Sequence, residues 1–433
     1  MTGNRHRRRC NTVSSPELTV ETLRQPDSTD VELPGKPTHK VAPMGLNLSG
    51  IQTGSQRDLE ISMAVDELRR TALHDWHVAH GGRMVDFAGW SLPVFYPLGA
   101  IEEHHLTRRS VGMFDIDHMG QFGVRGSGAA ASLDRLVTSA IRDVEVGAAT
   151  YGLLCNDEGG VLDDVIVYRL ADDDYMVVVN AANRDADLAW ISEHASGETC
   201  SVVDRSTEVE MVAVQGPAAV DLVAQATLDS EIVSSLERFR VARTSIAGAG
   251  VLIARTGYTG EDGVELYIES GGMVEVWTAL LEAAADHQIE AGAIGLSARD
   301  SLRFEPGYPL YGHELSEEIT PLEARLSWAV DLDGDEFIGQ QALRAQAEAG
   351  IERRLETIVM NDRGVPREGS RVLDEAENEL GQVVSGMFAP TAEVFAANVF
   401  LPRTFAIGDG VHVNIREKLK SASVVKRPLY RLP

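Results

Sequence analysis

Residues 151–180 read YGLLCNDEGGVLDDVIVYRLADDDYMVVVN, and the rest of the chain is organised around them. Three apolar, β-branched runs, at 151–155, 161–170 and 175–180, are split by the turn clusters NDEGG and ADDD. Runs of this length bounded by Gly, Asn and Asp predict strands, and such short separators make successive strands antiparallel partners. The stretch is therefore expected to be a three-stranded meander. Side chains alternate faces along a strand. Asp164, Ile166, Tyr168 and Leu170 thus share one face of the middle strand, and Asp163, Val165 and Val167 share the other. Folding the hairpins about their turn centres sets Asp164 level, to within a residue, with Tyr151–Gly152 on one neighbour and with residues 180–181 on the other. One carboxylate, two tyrosines and the Asn180 amide then share a patch of sheet. On this pattern alone, a solvated aspartate at a strand start accounts for Asp164 better than a catalytic one does.

Working outward, 433 residues are enough for two or three domains with real cores. Hydrophobic content of 44% and charged content of 24% are ordinary for a globular protein, and no run of about 18 apolar residues predicts a membrane span. A formal net charge of −27 argues against sequence-independent nucleic-acid binding, which needs basic surface for phosphates. Cys10, Cys155 and Cys200 have no CxxC spacing, so neither zinc nor a disulfide framework is indicated and a reduced, cytoplasmic protein is expected. Residues 1–62 are rich in Ser, Thr, Pro and Gly without periodicity, which predicts disorder and suggests that translation starts at Met63.

From Leu68 the pattern becomes globular. His74, His77 and His80 spread around a short helix, which reads as partly exposed histidines rather than a metal site. A helix is expected over 99–110, another over 183–196 and a third over about 273–287. Residues 251–269 form a second hairpin, with Val264, Leu266 and Ile268 toward a core and Glu265, Tyr267 and Glu269 on the other side. Gly257, Gly260 and Gly263 permit the tight connection that carries Tyr258. In GLSARDSLRFE, Ser297 and Asp300 have capping-box spacing, which predicts a helix starting after Ser297 and puts Arg299 in its first turn. The dipole disfavours a cation there, so Arg299 is expected to pair with a carboxylate or a ligand. The loop EPGYPLYGHEL offers Tyr308 and Tyr311, and beyond residue 354 short strands between Gly, Pro and Asn turns predict a small all-β domain.

No P-loop, GxSxG elbow, HExxH or CxxC is present, and GAG at 248–250 leads into a strand instead of opening a helix. What remains is an isolated Asp among Tyr, Asn, Glu and Arg. Such a set suits a planar heterocycle with hydrogen-bonding edges and one carboxylate for proton transfer or charge stabilisation.

The segments HDWHVAHGGRMVDFAGWSLPV, GMFDIDHMG, LLCNDEGGVLDDVIVYRL, VVVNAANRDADLAW, VQGP, ARTGYTGEDGVELYIE, GLSARDSLRFEPGYPLYGHEL and FIGQQAL occur in this order. The chain so resembles the glycine cleavage system T-protein (aminomethyltransferase) family from about residue 68 to 343, and its tail resembles that family's C-terminal barrel. The resemblance implies an α+β fold of three domains. Two interleaved antiparallel-sheet/helix domains would form a folate-binding module over 63–340, followed by a β-barrel over 341–433. It implies a tetrahydrofolate-dependent transfer, with tetrahydrofolate as co-substrate and no metal. The aminomethyl group would come from the lipoyl arm of the glycine cleavage H-protein, giving 5,10-methylenetetrahydrofolate, ammonia and dihydrolipoyl H-protein. Partners would be that lipoylated H-protein and the other glycine cleavage components, without nucleic acid or membrane. The compartment would be the cytoplasm, or the mitochondrial matrix for a eukaryotic source.

Carried over residue by residue, the essential aspartate falls on Asp164, which polarises the folate N10 side. The pterin-binding glutamate falls on Glu265 and the helix arginine on Arg299. Asn180, Tyr151, Tyr258 and Tyr311 match folate-lining positions, Tyr168 shares the Asp164 face, and Tyr430 sits where a C-terminal tyrosine returns to the ligand. Asp163→Asn is expected to matter far less than Asp164→Asn. Three departures stand out: Asp117 replaces a usual Ser, Gln340 a usual basic residue, and SGMFAPTAEVFAANVF is a loose version of the barrel signature. Lys418, Lys420, Lys426 and Arg427 are candidates for meeting an acidic H-protein. Two other readings compete: a folate-dependent demethylase of a small amine or sulfonium compound, and a non-enzymatic folate-binding iron–sulfur maintenance factor.

Overall fold

The computed structural model describes residues 68–195 and 199–432. The expectations of disorder over 1–62 and of a start at Met63 therefore lie outside the described residues. Among those described, no helix is long and apolar enough to cross a membrane.

The meander forms with its middle strand, Val161–Ala171, between Ala148–Cys155 and Asp174–Val179. Gly120–Arg125 and Ser201–Asp204 extend it antiparallel to five strands. The pairing differs slightly from the sequence expectation: Asp164 faces Leu153, and Tyr151 faces Ile166. The cause is a bulge that leaves Leu162 unpaired beside the turn, an extra residue that slides one strand along the other. Faces are preserved, so Tyr151 reaches Asp164 diagonally. The turn itself is docked: the Val161 N–H is shared by the carbonyls of Ser316 and Ile319. A Cβ at Gly160 would lie 1.8 Å from the Glu317 carbonyl oxygen, so only glycine lets the turn approach that backbone.

A second sheet has six strands, in the order Val241–Ile246, Ala249–Ala254, Gly263–Glu269, Val209–Gln215, Val111–Asp115 and Ala291–Ala293, the last pair parallel. Its strand Val111–Asp115 precedes all the strands of the meander sheet and the other five follow them, so the two domains are interleaved. The sheets meet through Tyr168, Met176 and Val178 on one side and Phe114, Met211, Ala213, Leu252 and Tyr267 on the other. Helices Ala129–Leu136 and Arg184–His194 accompany the outer core of the meander sheet, where Val165, Val167 and Val177 lie. Helices Ala219–Ala226 and Met273–Asp286 pack on Val212, Val214, Val264, Leu266 and Ile268. Central strands such as Asp174–Val179 and Val209–Gln215 are buried along most of both faces, which explains why they read as nearly continuous apolar runs.

A closed six-stranded barrel follows, its first strand Arg353–Met360 paired with its last, Lys418–Val425. The segment after it turns back, and the Leu429 and Tyr430 N–H groups donate to the Glu305 carbonyl at 2.8 and 3.0 Å. Two local expectations need correction, and one departure finds its place. The helix carrying Arg299 is Leu296–Phe304, starting at Gly295 without a side-chain cap, and Asp300 is instead engaged by Arg303. His77 is fully buried, bonded through Nε2 to Asp115 Oδ2 and through Nδ1 to the Tyr96 hydroxyl, both at 2.8 Å. Gln340 points inward and donates to the carbonyls of Asp331 and Asp335, so it offers nothing to a docking partner.

Candidate functional site

The face of the meander that carries Asp164 opens into a cavity of about 880 Å³, with Asp164, Ile166, Tyr151, Val178 and Asn180 in its wall. The opposite wall comes from the second sheet, with Thr256, Gly257, Tyr258 and Glu265, and from Arg299 on its helix. Loop 306–311, Trp328 and the C-terminal Arg427, Pro428 and Arg431 complete the enclosure. The volume falls within the range of about 300–1,000 Å³ that holds one small-molecule ligand.

Asp164 is fixed on both oxygens. The Tyr151 hydroxyl donates to Oδ2 at 3.0 Å and the Asn180 side-chain amide donates to Oδ1 at 2.8 Å. Burial, and next the negative charge of adjacent Asp163, push the Asp164 carboxyl up to about 7. It is thus poised to exchange a proton near neutrality, the condition that favours general acid–base work. The solvated-aspartate reading fails for Asp164, which is enclosed by the cavity, and its neighbour Asp163 is fully buried.

Across the cavity, Glu265 Oε2 accepts hydrogen bonds from Thr256 Oγ1 at 2.5 Å and from the Tyr168 hydroxyl at 3.3 Å. Burial raises its pKa above the usual carboxylate range. No hydrogen bond among the described residues uses Oε1, so that oxygen is available to a ligand. The Arg299 guanidinium lies 5.5 Å from the centre of the Tyr258 ring and its Nη1 is 3.3 Å from His118 Nε2. It has no ion pair among the described residues, so the donors not turned to His118 remain for a ligand. His118, buried beside the Arg299 charge, is held neutral with its pKa lowered to about 3. Tyr258 is fixed by its hydroxyl, which donates to the Pro309 carbonyl, and it stacks with Tyr308 at 5.8 Å between ring centres. A Cβ at Gly257 would lie 1.9 Å from Gln215 Oε1, so the Tyr258 loop needs glycine there. Tyr151 stacks on Trp328, which is 70% exposed at the cavity wall.

The structure brings seven of the nine named residues into the lining of one cavity: Asp164, Glu265, Arg299, Asn180, Tyr258, Tyr151 and Tyr311. Tyr168 is sealed behind that lining, where its hydroxyl bonds Thr256, Glu265 and Tyr267. It positions Glu265 without facing the cavity. Tyr430 also lies outside the wall, with its ring 3.9 Å from the Arg108 guanidinium, which is itself paired with Glu261 and Glu305. Arg427 belongs to the wall and donates to the Gly307 carbonyl, so it is no part of a surface patch with the exposed Lys418 and Lys426. Trp328, His118, Phe239 and Arg431 also contribute wall that the sequence reading did not name. Tyr308 carried a legible signal in its aromatic Gly/Pro loop, whereas Trp328 and His118 had none.

Among the described residues, no group of three or more His, Cys, Asp or Glu could hold a metal ion. The site offers one proton-exchanging carboxylate on one wall, and on the other a second carboxylate and a guanidinium framed by aromatic rings. This arrangement can bind a flat, nitrogen-rich ring and present a secondary or tertiary nitrogen to Asp164.

Comparison with known proteins converges on one family. The model of the GCVT N-terminal domain matches residues 73–334, and that of the glycine cleavage T-protein C-terminal barrel domain matches residues 353–431. The chain is 42% identical over 365 residues to an aminomethyltransferase of Herpetosiphon aurantiacus, covering 84% of this chain and 99% of the relative. It is likewise 42% identical over 370 residues to an aminomethyltransferase of Moorella thermoacetica, covering 85% and 99%. The crystal structure of glycine cleavage system aminomethyltransferase T from Bartonella henselae superposes with a TM-score of 0.78 at 32% identity, covering 84% of this chain and 98% of that one.

Proposed function

The chain belongs to the glycine cleavage T-protein family of aminomethyltransferases, and on that premise we propose that it transfers a one-carbon unit to tetrahydrofolate inside the cavity between its two sheets. The donor in this reading is the aminomethyl group on the lipoyl arm of the glycine cleavage H-protein. The products are 5,10-methylenetetrahydrofolate, ammonia and dihydrolipoyl H-protein. The observation that carries the reading is the pairing of Asp164 on one wall with Glu265 and Arg299 on the other.

In this scheme Glu265 takes the amino and N–H edge of the pterin with its free Oε1, while Oε2 stays anchored by Thr256 and Tyr168. Arg299 donates to the ring's oxygen edge, and Tyr258 supplies an aromatic face. Asp164 stands at the N10 side. Its carboxylate stabilises positive charge as N10 attacks the methylene carbon and the amine leaves as ammonia, and it takes up the proton that N10 gives up. N5 then bonds the same carbon, the carbon–sulfur bond breaks, and the N5 proton goes to the departing dihydrolipoyl sulfur. Tyr151 and Asn180 hold that carboxylate in one orientation, so no reorganisation is needed during the step. What supports this division of roles is that the carboxyl raised to about 7 lies on one wall and the carboxyl with a free acceptor oxygen lies on the other.

The test is ammonia release from aminomethyl-loaded, lipoylated H-protein with and without tetrahydrofolate. Release that requires both supports the proposal. Intact folate binding without turnover would reject it, and turnover with small methylamines or sulfonium compounds instead would favour a demethylase.

Two expected outcomes follow from the site. Asp164 must be ionised to accept the proton, so kcat/KM should fall as pH drops below about 7. A pH profile should show that limb in the wild type and lose it in Asp164→Asn. Glu265→Gln keeps the shape but removes the charge that meets the pterin N–H groups. Charge-assisted bonds of this kind contribute about 1.5–3 kcal/mol, so folate affinity should weaken roughly 10- to 100-fold. Binding by calorimetry, with a thermal melt as control, checks this; unchanged affinity removes Glu265 from the pterin edge.

A further inference from the structure

Behind Asp164, on the other face of the same strand, lies an arrangement that the transfer chemistry does not explain. Asp163 is fully buried and accepts three N–H groups. The Asn180 backbone donates at 2.9 Å, its side-chain amide at 2.8 Å and the Asn183 amide at 2.8 Å. The same Asn180 amide nitrogen reaches Asp164 Oδ1 at 2.8 Å. The orientation of Asp163 therefore sets that of Asn180, and Asn180 in turn holds the carboxylate at the reacting end of the cavity.

One more group closes on Asp163. Asp187, 2% exposed on the helix Arg184–His194, places its carboxyl in hydrogen-bonding contact with it. Two carboxylates in contact away from water cannot both be ionised, and no Lys, Arg or His among the described residues pairs with either. The groups turned toward it are Asn180 and Asn183, with Asp164 and the Tyr311 hydroxyl farther off. Asp163, the acceptor of three N–H groups, has every reason to be the anion. Asp187 Oδ2 is buried without an N–H or O–H partner among the described residues, so no other donor neutralises that carboxyl.

We propose that Asp187 is held as a neutral carboxylic acid whose proton is donated to Asp163, and that it is thereby a positioning residue for Asn180 and Asp164. Burial, and then the charge of Asp163, raise the Asp187 pKa far above the carboxylate range, consistent with that geometry. The arrangement also limits the negative charge next to Asp164, which would otherwise find it harder to ionise near neutrality.

Asp187→Asn and Asp187→Ala separate this role from simple packing, because Asn can still donate one N–H to Asp163 and Ala cannot. The first readout is the infrared difference spectrum, wild type minus Asp187→Asn, taken above about pH 8, where Asp164 and Asp117 have ionised. It should contain a carboxylic-acid carbonyl band. The second is turnover with loaded H-protein. Misplacement of Asp164 in Asp187→Ala should lower kcat by about 10- to 100-fold with a smaller change in KM for folate. Asp187→Asn should recover most of that loss. A difference spectrum without the band overturns the proposal, and so does an Asp187→Asn variant as impaired as Asp187→Ala. Should the alanine variant not fold, the spectrum and the asparagine variant still decide. The turnover arm rests on the aminomethyl-transfer reading and the infrared arm does not. A wild type that shows the band but no turnover therefore rejects that reading alone.

Discussion

Asp164→Asn should abolish most turnover while leaving folate binding almost unchanged. The substitution preserves volume and hydrogen-bonding reach. The Asn180 amide can still donate to the new side-chain oxygen, and the Tyr151 hydroxyl can rotate to accept from its amide. What is lost is the negative charge and the ability to take a proton near neutrality. A positioned general acid–base group contributes about 10²- to 10⁴-fold, so kcat should fall by that factor, about 3–5 kcal/mol in the barrier. Folate titration and single-turnover ammonia release on the same preparation check both halves. Unchanged turnover would reject the role given to Asp164, and a parallel loss of binding would recast it as a ligand anchor.

The second large effect is on stability and lies where the barrel meets the first two domains. Arg303 is 1% exposed at the end of the Leu296–Phe304 helix. It bonds Glu314 at 2.9 Å, the Tyr308 carbonyl at 3.2 Å and Ser385 on the barrel at 2.9 Å. Glu314 is also fully buried and accepts from Asn398 of the barrel at 2.8 Å. Arg303→Met leaves Glu314 charged and unpaired in the interior, a change that typically costs about 3–5 kcal/mol. Denaturant unfolding should show that loss, and the double variant Arg303→Met/Glu314→Leu should restore much of it because no lone charge then remains. A loss below about 1 kcal/mol would mean that water reaches Glu314. The same pair fixes the Tyr308 loop in the cavity wall, so folate affinity should also drop in the single variant.

How much of this was legible in the sequence differs from residue to residue. The meander, and the separation of Asp164 from Asp163, followed from alternation alone, because a strand has a period of two whatever packs on it. The exact partner of Asp164 did not follow, since the bulge at Leu162 depends on how the turn docks against residues 316–319. Glu265 was placed opposite its core-facing neighbours correctly, but nothing local showed that its face met Tyr168 and Tyr267 rather than water. The Ser297–Asp300 spacing misled because Gly295 starts the helix under the Val94 backbone: the Ser297 N–H bonds the Val94 carbonyl, an interaction about 200 residues away in sequence. His77 was misread for the same reason, since its partner Asp115 is on the strand Val111–Asp115 of the second sheet. Tyr430 could be placed near the cavity but not within its wall, because the Arg108–Glu305 pair that captures its ring is assembled from distant segments. Local periodicity specifies elements and faces. Polar side chains choose partners across the tertiary fold, and those choices lie outside any sequence window.

The account turns on where a folate would lie relative to Asp164 and Glu265. The most direct measurement is the crystal structure of this chain with 5-methyltetrahydrofolate, which cannot accept the one-carbon unit and so stays intact. The pterin edge is expected on Glu265 Oε1 and Arg299, with N10 within about 3.2 Å of an Asp164 oxygen or joined to it through one water. A pterin seated elsewhere, or an N10 turned toward the wall opposite Asp164, would contradict it.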